Sequence, residues 1–451
     1  MTGTVTDGFA RLASELCYED LSALAGERAK LSIIDAFGCI LAGAGSAEAA
    51  IVRKAVALDG KDGPAVILGT NTLASPTAAA FANGTAGHAF DFDDSSLAMI
   101  GHPSVPMVAA AAALGTGRQI CGRDIIVAYA LGLEIAAGLG RRMNPSHYEA
   151  GWHATSTLGT LSAALAGARV AGLSEREIIA VIGVAASSSA GIRKNFGSMV
   201  KPLHAGMAAR NGVVAVHLAK AGLATDPAAL DGTHGFIDVF RGEGQVEGFS
   251  FGGTLEIESS GVSIKRFPCC GCTHSALDAL LALLQDHRFT ATEIESIRCT
   301  TIALVADILT YRQPTTPLQA KFSMEYCLAV AALDGACGLD QFEPDRVTAP
   351  DVQALMGRVA TSVDPALIYR NGVYPSTVTV TLKGGRVFSR HVEEAIGHPA
   401  HPLGQSELEE KFLSCAERTL GRQRARDAFG RLTALEDVQD FDGLVETLKP
   451  G

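Results

Sequence analysis

Ser376-Thr-Val-Thr-Val-Thr-Leu382, followed by Lys383-Gly-Gly-Arg386 and then Val387-Phe-Ser-Arg-His-Val392, reads as a β-hairpin. Its first arm alternates apolar and polar residues with period two, and the glycine pair supplies the turn. Working back from it, Lys321 to Leu333 has helical spacing, Ile294 to Ile302 reads as a strand and Thr273 to His287 as a helix. Thr254 to Ser259 and Val262 to Phe267 have β-type character. Strands separated by helices and closed by a hairpin predict a small α+β domain.

Outside that stretch the texture is helical. From Phe9 to about Ser250 the sequence predicts successive helices, including residues 19 to 42, 75 to 89, Val105 to Leu114, Asp124 to Leu139 and Thr155 to Ala171. Ser75-Pro76 is a cap followed by a proline start, and Ser174-Glu-Arg-Glu177 matches a capping box. Ala171-Gly-Leu173 and Ala221-Gly-Leu223 each read as a glycine stop followed by an apolar residue. From Ser406 the pattern is helical again and could rejoin the first domain. The expected fold class is mainly α: a large all-helical domain over 1–262 and 401–451, with a smaller α+β domain over 263–400.

Composition bounds the function. The 451 residues carry 37 basic and 48 acidic side chains, a net charge of −11, and no Lys/Arg run resembles a nucleic-acid footprint. An anionic substrate therefore needs a local basic cluster. The N-terminus has no basic region followed by an apolar core, and the longest apolar stretches are too short to span a bilayer or are broken by Glu134. Neither a membrane nor a nucleic-acid partner is expected. Ten scattered cysteines, with Cys269, Cys270 and Cys272 too crowded for a secreted disulfide framework, point to reduced thiols and a cytoplasmic protein.

The polar chemistry concentrates in four stretches. Lys201-Pro-Leu-His204 carries a lysine and a histidine across a helix start, with Pro202 expected at the first helical position. Lys201 is there either an ordinary solvated lysine or a charge clamp and base with a lowered pKa, beside N–H groups that favour a carboxylate. Phe90-Asp-Phe-Asp-Asp-Ser-Ser96 and Gly101-His-Pro-Ser104 bring Asp91, Asp93, Asp94, Ser95 and His102 together. The carboxylates lack the glycine and distal glutamate of an EF-hand loop, so capping explains them as well as metal binding does. Ser146-His-Tyr-Glu-Ala-Gly-Trp-His153 offers Tyr148 and His153, as pocket lining or as a staple at a helix entry. Lys265-Arg-Phe-Pro-Cys-Cys-Gly-Cys-Thr-His274 has cysteines too close together for a usual zinc pair, so no metal is expected. Phosphate loops, H-E-x-x-H and G-x-S-x-G motifs are absent from the sequence. What remains suits acid/base work on an anion.

Jointly and in order, Gly87-His-Ala-Phe-Asp-Phe-Asp-Asp94, Gly101-His-Pro-Ser104, Gly151-Trp-His-Ala-Thr-Ser-Thr-Leu-Gly159, Lys201-Pro-Leu-His-Ala-Gly206, Lys265-Arg-Phe-Pro268 with His274, and Lys321-Phe-Ser-Met-Glu-Tyr326 resemble the MmgE/PrpD family. The resemblance covers nearly the whole chain. It implies a homodimer without metal or organic cofactor, acting on a small di- or tricarboxylate, as 2-methylcitrate dehydratase, cis-aconitate decarboxylase and iminodisuccinate epimerase do. Carried over, the pocket contains Asp91, Ser95, His102, His153, Lys201, Lys265 and Tyr326, between the domains. The expected acid/base groups are His102, His153, Lys201, Tyr148, Tyr326 and Asp91, with Asp91 orienting or polarising a histidine. Lys265, Ser95, His204 and Cys270 are expected to bind substrate.

The branch signals differ. Cys270 stands where the decarboxylase branch resembles a histidine, whereas Ser95 keeps the hydroxyl of that branch's threonine. The Asp91-to-His102 spacing looks closest to the epimerase, and Tyr326 looks like the dehydratase and decarboxylase. The leading expectation is a dehydratase of the 2-methylcitrate type. The alternatives are an epimerase, then a decarboxylase, or a carboxylate-binding homologue without catalysis, with a metal-dependent hydratase last.

Overall fold

A computed structural model describes residues 3–58, 63–241, 249, 251, 253–367 and 373–451. The fold is mainly helical, and the chain forms two compact units. The first comprises Met1–Ala89, Asp93–Ser263 and Gly404–Gly451; the second comprises Phe90–Phe92 and Ile264–Leu403. Ser250, where the helical reading of the sequence ends, lies outside the described residues.

The first unit is built on closely approaching helices rich in small residues. Ala23–Gly43, Pro76–His88, Ser104–Gly115, Gly122–Met143, Ala154–Val170 and Val200–Lys220 are its main buried helices, with Gln405–Leu420 packed against Ala23–Gly43. The Ser75 hydroxyl accepts the Ala78 N–H at 3.3 Å, and Glu175–Ser188 begins on the Ser174/Glu177 capping box. Gly172 and Gly222 adopt φ of 65° and 94° just beyond the ends of their helices. In each case the following leucine N–H returns to a helix carbonyl, Ala168 at 3.2 Å and Leu218 at 3.0 Å.

Where helices must approach closely, glycine removes the obstacle. A Cβ on Gly84 would lie 2.8 Å from the Gly206 Cα, and one on Gly206 would lie 2.5 Å from the Phe81 carbonyl oxygen. Pro76–His88 and Val200–Lys220 therefore cross backbone to backbone, which sets His88 and Lys201 at the same level.

The second unit has a four-stranded sheet in the order Val359–Val363, Ile294–Thr301, Ser376–Leu382, Val387–Val392. Ile297 pairs in parallel with Val359 and antiparallel with Val380; Val380 in turn pairs with Phe388. The Ser376–Leu382 strand alternates buried and half-buried positions along its whole length, as its sequence demands. His274–His287 and Met324–Asp334 pack on the sheet and on each other.

Three expectations need correction. Thr254 to Ser259 is not a strand: Glu256–Ser259 is a helical turn, with the Glu258 carboxylate accepting the Leu255 N–H at 3.3 Å. Val262 to Phe267 forms only an isolated bridge, Ser263 with Ser95. The helix expected to begin at Pro202 begins at Val200. Among the described residues no single helix is long and apolar enough to cross a membrane; Ala23–Gly43 with Ala47–Leu58 passes only as a pair bent by 82°.

Candidate active site

The chemistry of the helical unit centres on His88, the last residue of its helix. The His88 Nδ1–H donates to the Asp93 carboxylate, whose two oxygens lie 2.8 and 2.9 Å away. Its Nε2 lies 3.1 Å from the Lys201 ammonium and accepts from it. A ring that donates through one nitrogen and accepts through the other is a neutral imidazole in a fixed tautomer. Carboxylate, imidazole and ammonium thus form a buried line, with Lys201 only 5% exposed. That burial excludes the solvated-lysine alternative.

His102 enters from a strained turn. Ile100 takes φ of 50°, a costly conformation for a β-branched residue, while Ser96 and Gly101 bridge across it. The His102 backbone N–H donates to Thr155 Oγ1 at 2.9 Å, and its Nδ1–H donates to the Asp94 carbonyl at 2.7 Å. The neutral ring therefore carries its lone pair on Nε2. The Asp93 carboxylate is 3.8 Å from the same Nδ1, and the ring lies 4.5 Å from that of His88.

Behind this turn, the Asp94 carboxylate accepts from the Ser104 hydroxyl, which is 2.6 Å from the Tyr129 hydroxyl. Burial, then the Asp35 charge, pushes the Asp94 carboxyl up to about 8, against the pull of Ser104.

His153 caps the Ala154–Val170 helix and shares a proton with His204, Nδ1 to Nδ1, at 2.9 Å. Its ring meets Phe196 edge-on at 4.8 Å. Burial, with Lys201 and His204 next in weight, holds His153 well below the usual imidazole range. Burial, then His88 and Lys201, holds His204 down to about 4. Both rings are neutral near pH 7.

The second unit holds polar groups of its own. Asp91 adopts a left-handed φ of 52° and is fixed there by Lys265, whose ammonium lies 2.7 Å from its carbonyl and 3.1 Å from its carboxylate. Lys321, 3% exposed, lies 4.8 Å over the Phe90 ring, and its carbonyl accepts the Cys270 N–H at 3.0 Å. Cys272, hydrogen-bonded to the Cys270 thiol, pulls that thiol below its usual value.

Several expected residues have other occupations. The Tyr326 hydroxyl, in a fully buried side chain, donates to the Gln341 carbonyl, and burial pushes its pKa far up. That geometry argues against Tyr326 as a proton donor. Tyr148 lies beneath the Arg193 guanidinium, 3.6 Å from its ring centre. Ser95 pairs through its backbone with Ser263, N–H to O, at 2.9 and 2.7 Å. His147 bonds through both nitrogens, to the Phe240 carbonyl at 2.6 Å and Thr157 Oγ1 at 2.8 Å, and so is a strut of the helix entry.

Conversely, His88 is not among the site residues expected from the sequence, although Gly87-His88 stands in one of the quoted motifs, and Asp93 enters that expectation only as a candidate metal ligand. His88, Asp93 and His102 do offer atoms within 4.8 Å of one another, as metal ligands would. A cation on His88 would compete with its present partners, the Asp93 carboxylate at Nδ1 or the Lys201 ammonium at Nε2.

The helical unit thus holds a buried lysine beside neutral imidazoles, and the α+β unit has buried lysines of its own. Residues 7–248 match the MmgE/PrpD N-terminal domain and residues 267–433 the MmgE/PrpD C-terminal domain, and the chain belongs to this family. It is similar to the cis-aconitate decarboxylase of Homo sapiens, 27% identical over 100% of this chain and 95% of the relative. The Mus musculus cis-aconitate decarboxylase is 28% identical over 100% and 94%, and that of Aspergillus terreus 26% over 98% and 96%.

Proposed function

We propose that this chain is a lyase that removes a proton beside a carboxylate of a small di- or tricarboxylate and expels the hydroxyl group as water, a dehydratase of the 2-methylcitrate type. The observation that carries it is the pair of buried, neutral imidazoles, His153 and His204, beside the Lys201 ammonium. Abstraction from carbon needs a base that is unprotonated at working pH and a fixed positive charge where the enolate oxygen forms. His153 takes the proton. Lys201, steadied by His88 and Asp93, faces the developing charge. His102, oriented through Nδ1 by the Asp94 carbonyl, first takes up a second proton on its Nε2 lone pair, a charged form that the Asp93 carboxylate 3.8 Å away supports, and then gives that proton to the leaving hydroxyl. Every charge and proton in this scheme is carried by side chains of the chain itself.

Decarboxylation is the second reading, favoured by the cis-aconitate decarboxylases among the relatives. It requires a donor to quench the carbanion rather than a base, and Cys270 places a thiol where the resemblance leads one to look for an imidazole.

The deciding experiment is an NMR time course in D2O with 2-methylcitrate, citrate, cis-aconitate and an aspartate-derived diacid. A vinylic signal arising with loss of water from a hydroxy acid supports the dehydratase. Loss of CO2 from cis-aconitate transfers the assignment to the second reading, and deuterium entry without net conversion transfers it to an epimerase. Silence from every substrate would leave a carboxylate-binding protein.

A further inference from the structure

The Cys269-Cys-Gly-Cys272 run does not act as one group once folded. Cys270 and Cys272 bond to each other, whereas Cys269 turns to two cysteines far along the chain, Cys327 and Cys337. Cys327 lies within the Met324–Asp334 helix, and Cys337 follows the turn made at Gly335, where φ is 66°. The three sulfurs lie within 4.8 Å of one another, joined by thiol–thiol hydrogen bonds, and the residues are 0%, 0% and 3% exposed. His274, first residue of the His274–His287 helix, stands beside the Cys269 thiol, with its Nε2 3.4 Å from the Cys269 carbonyl.

We propose that Cys269, Cys327 and Cys337 supply three thiolate ligands of a structural zinc site in the α+β unit. Zinc–sulfur bonds of about 2.3 Å place the sulfurs of a tetrahedral site about 3.8 Å apart, so the observed cluster needs only a small contraction to hold the ion. Three soft sulfur donors select a thiophilic cation over magnesium or calcium. The Thr273 hydroxyl, 3.0 Å from the Cys269 sulfur, supplies an outer hydrogen bond of the kind that steadies a thiolate ligand. Binding releases the thiol protons and ties the loop bearing Cys269 to both ends of the segment from Cys327 to Cys337. The inference stands on the three cysteines and is independent of the reaction proposed above.

The test uses the full chain, reduced, stripped with a chelator and titrated with Co2+, whose sulfur-to-metal charge-transfer band reports thiolate ligation. The site predicts that one Co2+ per chain binds with that band and that one equivalent of Zn2+ displaces it. Cys327→Ser and Cys337→Ser should abolish the band, and Cys270→Ser should retain it. Should the serine variants fail to fold, alkylation of the native chain decides: bound Zn2+ must protect the Cys269, Cys327 and Cys337 peptides more than the metal-free chain does. Absence of the band in the native chain, a band unchanged in Cys327→Ser, or equal alkylation with and without Zn2+ would overturn the site.

Discussion

His88 shows how a single side chain can fix the position of its neighbours. Its neutral tautomer is dictated by Asp93 on one side and Lys201 on the other, so the position of the ammonium is set by a proton on the opposite face of the ring. Lys201→Ala or His153→Gln should lower kcat by about 100-fold or more while leaving the fold intact, as expected for charge stabilisation and proton transfer; thermal melts beside steady-state rates check both halves. The titration of Asp94 gives a second expectation. Its folded pKa of about 8 lies above the ordinary 3.8, so the folded chain keeps a proton that the unfolded chain has lost. Its contribution to stability therefore declines as pH rises from about 4 to about 8, and Asp94→Asn should flatten that decline in Tm. His204 has the opposite sign: its folded value of about 4, against an ordinary 6.5, makes stability fall as pH drops through that window. At this scale the sequence named Lys201, His102, His153 and His204 because each stands in a polar stretch. It passed over His88 because the partner that explains it, Lys201, is 113 residues away, beyond the reach of any local spacing.

The crossing of Pro76–His88 with Val200–Lys220 is the element on which the site depends. Gly206→Val should cost roughly 1–3 kcal/mol of stability by overpacking, and because it separates His88 from Lys201 it should also depress kcat beyond that loss. Denaturant melts and rates on the same variant check the two effects separately. The helices around this crossing were legible because caps, prolines and glycine stops are written locally. The Thr254–Ser259 error arose because Leu255-Glu-Ile-Glu258 alternates as a strand would. It is long-range bonding that decides for a helical turn, with Arg28 donating to the Ile257 carbonyl at 3.0 Å and the Glu256 N–H to Glu134 at 2.6 Å. The short Val359–Val363 strand was missed for a related reason: only its first residue is buried, so no period marks it.

At the scale of the whole molecule, we propose that the chain is a homodimer, as the resemblance implies. Light scattering in line with size exclusion should give about twice 46.7 kDa, and a mass near 46.7 kDa would remove the proposal. The two-part organisation was legible because the change of texture after Ser250 is carried by a hairpin that alternates unmistakably. One detail of the division was not. Phe90–Phe92 belongs to the α+β unit although the residues on both sides of it belong to the helical one, and this excursion brings Asp91 to Lys265. The α+β unit is therefore not a transferable cassette: a graft of residues 264–403 into another scaffold would leave a buried ammonium stranded without its carboxylate. Any chimera built from this chain must carry three residues lying more than 170 positions upstream of Lys265 along with the segment they serve.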